Sequence, residues 1–268
     1  MHTPNITRFL GLAECYDGAR PAPPQAFVRL VCAWCGLPAL GLVVDLGCGT
    51  GLSSRIWGAR ARRVVGIEPN PDMRALAAAR GGDGLEYRAG CGQATGLADG
   101  CADAVVCSQA LHWMEPQATL REAARILRPG GVFAAVDCDW PPSVNWRVER
   151  AYVAMKERAD ALEAASHNAS PEGGPRRWPK EEHLANLRGC GHFVFAREVL
   201  LHGVERGGAQ RMVDIALSQG GVAALLRRGS SEADLGLAEL RRVALQELGA
   251  AEADYVFSYR VRLAVKPG

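Results

Sequence analysis

From residue 25 onward, short apolar runs alternate with stretches in which apolar side chains recur every three or four positions. Gln25 to Gly36 carries Phe27, Leu30, Val31 and Trp34 at helical spacing, and Gly36 and Pro38 close that pattern. Leu42-Val43-Val44-Asp45-Leu46 is an apolar run that stops at glycines, as a buried parallel strand does. The same reading predicts a helix over Gly51 to Arg62, a strand over Val64 to Glu68 and a helix over Asp72 to Arg80 entered through Pro71. Strands follow at Leu85 to Ala89 and Ala104 to Ser108. Leu120, Ala123, Ala124 and Leu127 keep one helical face, and Arg128-Pro129-Gly130-Gly131 stops that helix before a strand at Val132 to Asp137. Strands alternating with helices through such short turns predict a doubly wound, mostly parallel sheet.

After Asp139 the pattern changes. Trp140-Pro141-Pro142 breaks the alternation, and Val148, Tyr152, Met155, Ala159 and Leu162 mark an amphipathic helix. Residues 166 to 180 read as a loop, Phe193 to Val204 as a strand, and Gly207 to Gly249 as helix broken at Gly220-Gly221 and at Arg228-Gly229-Ser230. Near the end, Tyr255, Phe257, Tyr259, Val261, Leu263 and Val265 alternate with polar positions that include Ser258, Arg260 and Arg262. Strict alternation predicts a strand with one apolar and one polar face, paired antiparallel at the C-terminal end of the sheet.

Composition adds exclusions. With 268 residues, 48% of them hydrophobic and 22% charged, the chain has ample material for a core. A net charge of +2 exerts no strong pull toward nucleic acid or a membrane surface. No apolar run approaches the roughly 18 residues of a membrane span, and Phe9-Leu10-Gly11-Leu12-Ala13 is too short for a signal-peptide core, so a cytoplasmic location is expected. The nine cysteines are odd in number and several (Cys48, Cys107, Cys138) sit in or beside strands, as buried free thiols do. Cys32-Ala33-Trp34-Cys35 has no second pair at zinc-site spacing; it reads as structural, and no metal is expected.

The candidate chemistry begins at Asp45-Leu46-Gly47-Cys48-Gly49-Thr50-Gly51, between a strand and a helix. Glycines there let the backbone turn sharply and let a ligand approach the main chain. Leu52 stands where a dinucleotide fingerprint has its third glycine, and no Gly-Lys-Ser/Thr follows, so neither phosphate-binding pattern is met. Asp45 ends the strand before the turn and would oppose a pyrophosphate. Glu68 ends the next strand, where an acid bonds a ribose diol. The pair suits a ligand with an amino-acid end and a free ribose; the plainer alternative is a helix cap and a solvated strand end.

Taken together, these residues resemble a known family. Val43 to Gly51 looks like the first motif of class I S-adenosylmethionine-dependent methyltransferases, and Val65-Gly66-Ile67-Glu68-Pro69-Asn70 resembles their second. Gly92-Gln93-Ala94-x-x-Leu97 and Ala102 to Trp113 resemble the third and fourth blocks of the small-molecule (type 11) branch. Leu127 to Gly131 resembles its helix-to-strand corner, and Tyr16-Asp17-x-x-Arg20-Pro21 its N-terminal lid. The resemblance implies a Rossmann-like α/β fold with an antiparallel C-terminal strand and a helical cap, in one domain. Residues 1–40 would form lid helices, 41–138 the cofactor-binding core, 139–192 and 206–252 the substrate-covering insertions, and 193–205 and 253–266 the final strands.

It also implies a cofactor, S-adenosylmethionine, with Gly47, Cys48, Gly49 and Gly51 along its methionine part and Asp45 beside its amino end. Glu68 would hold the ribose hydroxyls. Pro69, Asn70 and Met73 would flank the adenosine, and Gln93 and Ala94 would face the adenine, although Gln93 stands where the family often has Asp. Ser108 and Gln109 would lie beneath the sulfonium, and Tyr16 would close over the carboxylate end.

Methyl transfer from a sulfonium is an in-line displacement, so alignment and exclusion of water matter most; orientation contributes up to about 7–11 kcal/mol. His112 is the best candidate for a general base, should the acceptor lose a proton, and packing of the pocket is its other reading. Trp113 and Trp140 are candidate substrate contacts, with Trp146, Trp178, Arg176 and Arg177 as further pocket candidates. His183 reads as a solvated helix or strand position, and Arg60, Arg62 and Arg63 as cations at a helix end. The expected partner is a small-molecule acceptor methylated at O, N or C, with neither nucleic acid nor membrane. The oligomeric state stays open, a homodimer included. Two competing readings are a nicotinamide-dependent oxidoreductase and a non-catalytic nucleotide-binding protein.

Overall fold

The computed structural model describes residues 17–168 and 176–268. Its centre is a seven-stranded sheet in the order β3-β2-β1-β4-β5-β7-β6. The strands β1 (Leu40–Leu46), β2 (Ala61–Ile67), β3 (Leu85–Arg88), β4 (Ala102–Ser108) and β5 (Leu127–Cys138) run parallel. β7 (Ala253–Val265) is antiparallel to both β5 and β6 (Phe195–Gly207), between which it lies.

Successive side chains of a strand point to opposite faces, and here both faces are covered. Val43, Val106, Ala134 and Val136 pack into one core with Phe27, Trp57, Tyr152 and Phe257. Val44, Val105, Phe133 and Ala135 pack into the other with Leu120, Ile126 and Leu187. This is why the central strands read as continuous apolar runs.

Helices α1 (Gln25–Trp34), α3 (Pro71–Ala79) and α4 (Pro116–Ile126) flank the parallel half. α3 and α4 begin alike, with proline at the first helical position. The Asn70 side chain accepts from the backbone N–H of Asp72 and Met73, and Glu115 does the same for Gln117 and Ala118. Over one face lie α5 (Trp146–Asn168), α7 (Ala209–Leu217), α8 (Gly220–Arg227), α9 (Glu232–Leu235) and α10 (Leu237–Leu248), with α5 against α8 and α10. Among the described residues, no helix is long and apolar enough to cross a membrane.

Three local expectations are corrected. The helix expected over Gly51 to Arg62 is one turn, α2 (Leu52–Arg55), followed by a 3-10 turn at Gly58–Arg60. Gly58, at φ +37°, breaks the helix where Trp57 must turn fully into the core against Phe27. Arg62 and Arg63 are therefore strand residues, and Arg63 pairs across to Glu86 of β3 at 2.6 Å. The polar face of β7 is only partly solvated: Arg262 is 4% exposed, because β6 covers the free edge of β7 and α6 (His183–Gly189) packs on it. His183, read as solvated, is 1% exposed.

The cysteines are free thiols, among the described residues. Cys35 of the C-x-x-C pair is pushed up to about 12 by burial, far from the range of a reactive thiolate.

Candidate active site

Open α/β sheets place ligands beyond the carboxyl ends of their strands, where the strand order reverses. In this sheet that point lies between β1 and β4. A cavity opens there, walled by the turn after β1 (Gly47, Cys48, Gly49), the residues that follow β2 (Glu68, Pro69, Asn70), Gln93, Ser108 at the end of β4, and Gln109, Ala110, Trp113 and Met114 beyond it. Arg20, Pro21 and Trp140 close it from the other side.

The glycines of the turn have separate reasons. Gly47, at φ +66°, has no room for a side chain, since a Cβ would lie 2.7 Å from Met114 Cε and 2.8 Å from Ala110 Cβ. Gly49, at φ +55°, faces open space, and a side chain there would project from a strained backbone. Gly51, expected along the methionine part, faces the Tyr87 ring and does not line the cavity.

Glu68 is buried yet reaches the cavity wall. Its Oε2 accepts from the Gly49 N–H at 2.9 Å and its Oε1 from the Asn70 N–H at 2.8 Å. Each carboxylate oxygen accepts two bonds, so both keep capacity for a further donor such as a ribose hydroxyl. Burial raises its pKa, and the two N–H groups oppose that rise. Asp45 behaves differently. Its Oδ2 accepts from the hydroxyls of Ser53 and Ser54 at 2.6 and 2.7 Å, while its buried Oδ1 has no partner. It lies beneath the turn rather than on the cavity wall; Ser53, its hydrogen-bond donor, does line the wall. Burial pushes its carboxyl up to about 6 against the two serine bonds.

Asp17 fastens the entry segment to this turn. It accepts from Thr50 Oγ1 at 2.5 Å and pairs with Arg55 at 2.9 Å and with Arg80. Burial would raise its carboxyl, but the bonds from Thr50 and Arg55 outweigh burial and hold it below its usual value.

A second chamber adjoins the first and shares Arg20, Gln109, Trp113 and Trp140 with it. Gln109 alone of the described non-glycine residues has a left-handed backbone, φ 54°, held by its N–H bonding to Val136 O at 2.9 Å. Its side-chain Oε1 accepts from Lys180 Nζ at 3.0 Å, and Lys180 also pairs with Asp137 at 2.8 Å. Asp137 in turn accepts from Arg262 at 2.9 Å, and Arg262 pairs with Glu198 at 2.7 Å. His112 and His183 flank the same carboxylate at 3.8 and 3.9 Å. Burial first, then Lys180 and Arg177, hold the His112 imidazole well below its ordinary range, so it is neutral at neutral pH and a weak base. The Trp178 N–H donates to His112 O at 2.9 Å, tying the cap to the end of β4.

Of the site residues read from sequence, Gly47, Cys48, Gly49, Glu68, Pro69, Asn70, Met73, Gln93, Ser108 and Gln109 converge on the first chamber. Trp113 and Trp140 line both chambers, while His112 lines the second. Ala94, expected to face the adenine, is exposed, with its N–H and C=O paired with Cys91 in a small turn, and it does not line the cavity. Tyr16 lies outside the described residues. Of the cap candidates, Arg177 lines the second chamber; Trp146 is 59% exposed and Trp178 stacks on Arg176 away from both. Sequence reasoning missed Met114, Asp137 and Lys180. Asp137 ends an apolar run just as Asp45 and Glu68 nearly do, and that was the available signal.

Comparison with known proteins points the same way. Residues 44–135 match the family model described as a methyltransferase domain. An uncharacterised methyltransferase of Mycobacterium tuberculosis is 36% identical over 117 residues, 43% of this chain and 46% of that protein. A malonyl-[acyl-carrier protein] O-methyltransferase of Pectobacterium atrosepticum is 38% identical over 127 residues, 46% and 48% of the two chains. The chain thus spans about half the length of the curated relatives it matches. In fold it is similar to the structure of a type II methyltransferase from Anaeromyxobacter dehalogenans, with TM-score 0.67 and 23% identity over 92% of this chain and 97% of that one. The matched segment carries the glycine turn, Glu68 and the β4 segment that wall the first chamber, so the part of this chain that is similar to a methyltransferase domain is the part that builds that chamber.

Proposed function

We propose that the first chamber holds S-adenosylmethionine and that the protein transfers its methyl group to a small molecule admitted through the second. The observation that carries this reading is the Glu68 carboxylate, pinned by two backbone N–H groups at the cavity wall with acceptor capacity to spare, opposite a glycine turn whose Gly49 leaves open space. Glu68 would take the ribose hydroxyls, Gly47 and Gly49 would let the methionine part lie against the main chain, and Met73 and Gln93 would border the adenine. Asp45 would act from below through Ser53. Ser108 and Gln109 would lie at the reacting end.

When bound, the cofactor supplies an activated methyl on a sulfonium. The chain's own part is to orient the acceptor, exclude water with Trp113 and Trp140, and fix Gln109 at the neck. The regions 139–192 and 206–252 would cover the acceptor, and the segment before residue 40 would close the cofactor end.

Thermal stability tests this reading, because a ligand of the native state raises it. S-adenosylmethionine and S-adenosylhomocysteine should each raise the melting temperature and NAD should not. Stabilisation by NAD alone would overturn it.

A further inference from the structure

The second chamber has an unusual charge pattern for the neighbour of a sulfonium. Arg20, Lys156, Arg177 and Lys180 line it, against Asp160 and Glu163. Lys156 and Asp160 pair with each other. The remaining three cations are anchored toward the neck between the chambers. Arg20 donates to Ser218 O at 3.1 Å and to Gln219 Oε1 at 3.0 Å, and its guanidinium lies 4.7 Å from the centre of the Trp140 ring. Gln219 is itself fixed by donating to Tyr152 Oη at 2.8 Å. Arg177 lies 4.7 Å over Trp113, and Lys180 is drawn to Gln109 and Asp137. Stacking on tryptophan fixes the plane of a guanidinium, and the edge of that plane is the part that meets a planar anion.

We propose, building on the methyltransferase reading, that the acceptor is a small carboxylate held among Arg20, Arg177 and Lys180 and methylated on a carboxylate oxygen to give the ester. Three features of the chamber separate this class from the other acceptors. The lining carries Arg20, Lys156, Arg177 and Lys180 against Asp160 and Glu163, a positive balance beside the sulfonium that disfavours a protonated amine. A phenol or alcohol needs its proton removed, and His112, the imidazole in the chamber wall, is a weak base in this surrounding. A carboxylate is already ionised at neutral pH. One of its oxygen lone pairs forms the O–CH3 bond as the C–S bond breaks, the electron pair of that bond passes to sulfur, and no proton moves. Anion and sulfonium are consumed together, leaving a neutral ester and a neutral thioether.

The test has two arms. In the first, S-adenosylhomocysteine is titrated into the wild type and into Arg177→Gln and Lys180→Gln, neither of which lines the first chamber. Each should bind it within about threefold of the wild type, a shift of less than half a decade. No binding to the wild type overturns the methyltransferase reading itself, and the acceptor proposal with it.

In the second arm the protein saturated with S-adenosylhomocysteine receives succinate, tricarballylate or benzoate, each beside its carboxamide. The expected result is stabilisation by carboxylates and not by their amides, with carboxylate affinity weakened about tenfold or more in either variant. With methyl-labelled S-adenosylmethionine in place of the product, the label on a stabilising carboxylate should leave as methanol in mild alkali, as an ester's does. Equal behaviour of carboxylates and amides, carboxylate binding unchanged in both variants, or an alkali-stable labelled product would each overturn the proposal. Because Lys180→Gln leaves buried Asp137 with one partner fewer, Arg177→Gln serves as the variant that does not disturb the core.

Discussion

The two chambers are built in opposite ways. The first is made from backbone: a glycine turn, two N–H groups that hold Glu68, and strand ends whose positions follow from parallel register. The second is made from side chains delivered by separate parts of the chain, namely Arg20 from the entry segment, Gln219 from the turn before α8, Arg177 and Lys180 from the cap, and His112 from the end of β4. A backbone site is precise, and many sequences keep it if a few glycines stay in place. A side-chain site can change its ligand without disturbing the sheet. One fold can thus fix one ligand and leave the other variable.

The largest expected effect falls on the first chamber. Glu68→Ala removes the proposed ribose acceptor and also releases the Gly49 and Asn70 N–H groups. S-adenosylhomocysteine affinity measured by calorimetry should fall about a hundredfold or more, since bonds to a charged group contribute about 1.5–3 kcal/mol each. Glu68→Gln, able to keep one acceptor, should fall between.

Asp45→Asn separates binding from stability in the same chamber. A buried carboxyl raised to about 6 binds its proton more tightly folded than unfolded, so ionising it costs stability above pH 6, and that cost disappears as pH falls below its usual 3.8. The upper limit of the cost is about 3 kcal/mol. The variant should therefore melt higher than the wild type at pH 7.5 and lose this advantage by pH 4, while binding S-adenosylhomocysteine more weakly. Equal melting temperatures at pH 7.5 would show that Asp45 carries no such cost.

Gly49→Ala and Gly130→Ala form a smaller, paired test. Both positions have positive φ, 55° and 69°, and each should lose about 1–2 kcal/mol in denaturant unfolding. Only Gly49→Ala should also weaken the adenosyl ligand, by about tenfold for a single displaced main-chain contact. Equal losses of affinity would mean that the turn acts only through stability.

The smallest effect is expected where general-base chemistry would demand a large one. Because the His112 pKa lies well below its ordinary range, its protonation contributes no limb to the rate profile between about pH 6.5 and 8. His112→Gln should change kcat only a few-fold, against the 10²–10⁴ of a working base. A steep loss with an apparent pKa near 7 would restore the base role.

The sequence made the first chamber legible because its parts are local. Val43 to Gly51 and Val65 to Asn70 are continuous segments whose pattern states both the strand and the turn. Even so, Gly51 and Ala94 belong to the right segments and point elsewhere, toward Tyr87 and solvent, because a motif fixes a backbone path and not each residue's facing. The expected long helix after the turn failed at Gly58, where burying Trp57 outweighed helical spacing. The second chamber was hardly legible. Lys180 and Arg262 look like solvated charges until Asp137 is seen between them, and that meeting depends on β7 entering between β5 and β6, a long-range event. His183 seemed solvated for the same reason.

The proposed role of the first chamber is to hold an adenosyl ligand through Glu68. Calorimetric titration of S-adenosylhomocysteine into the wild type and Glu68→Ala tests this most directly. The predicted result is one-to-one binding to the wild type, loss of most of that affinity in Glu68→Ala, and no heat with NAD. Wild-type affinity in Glu68→Ala, or binding of NAD in place of the adenosyl ligand, would contradict it.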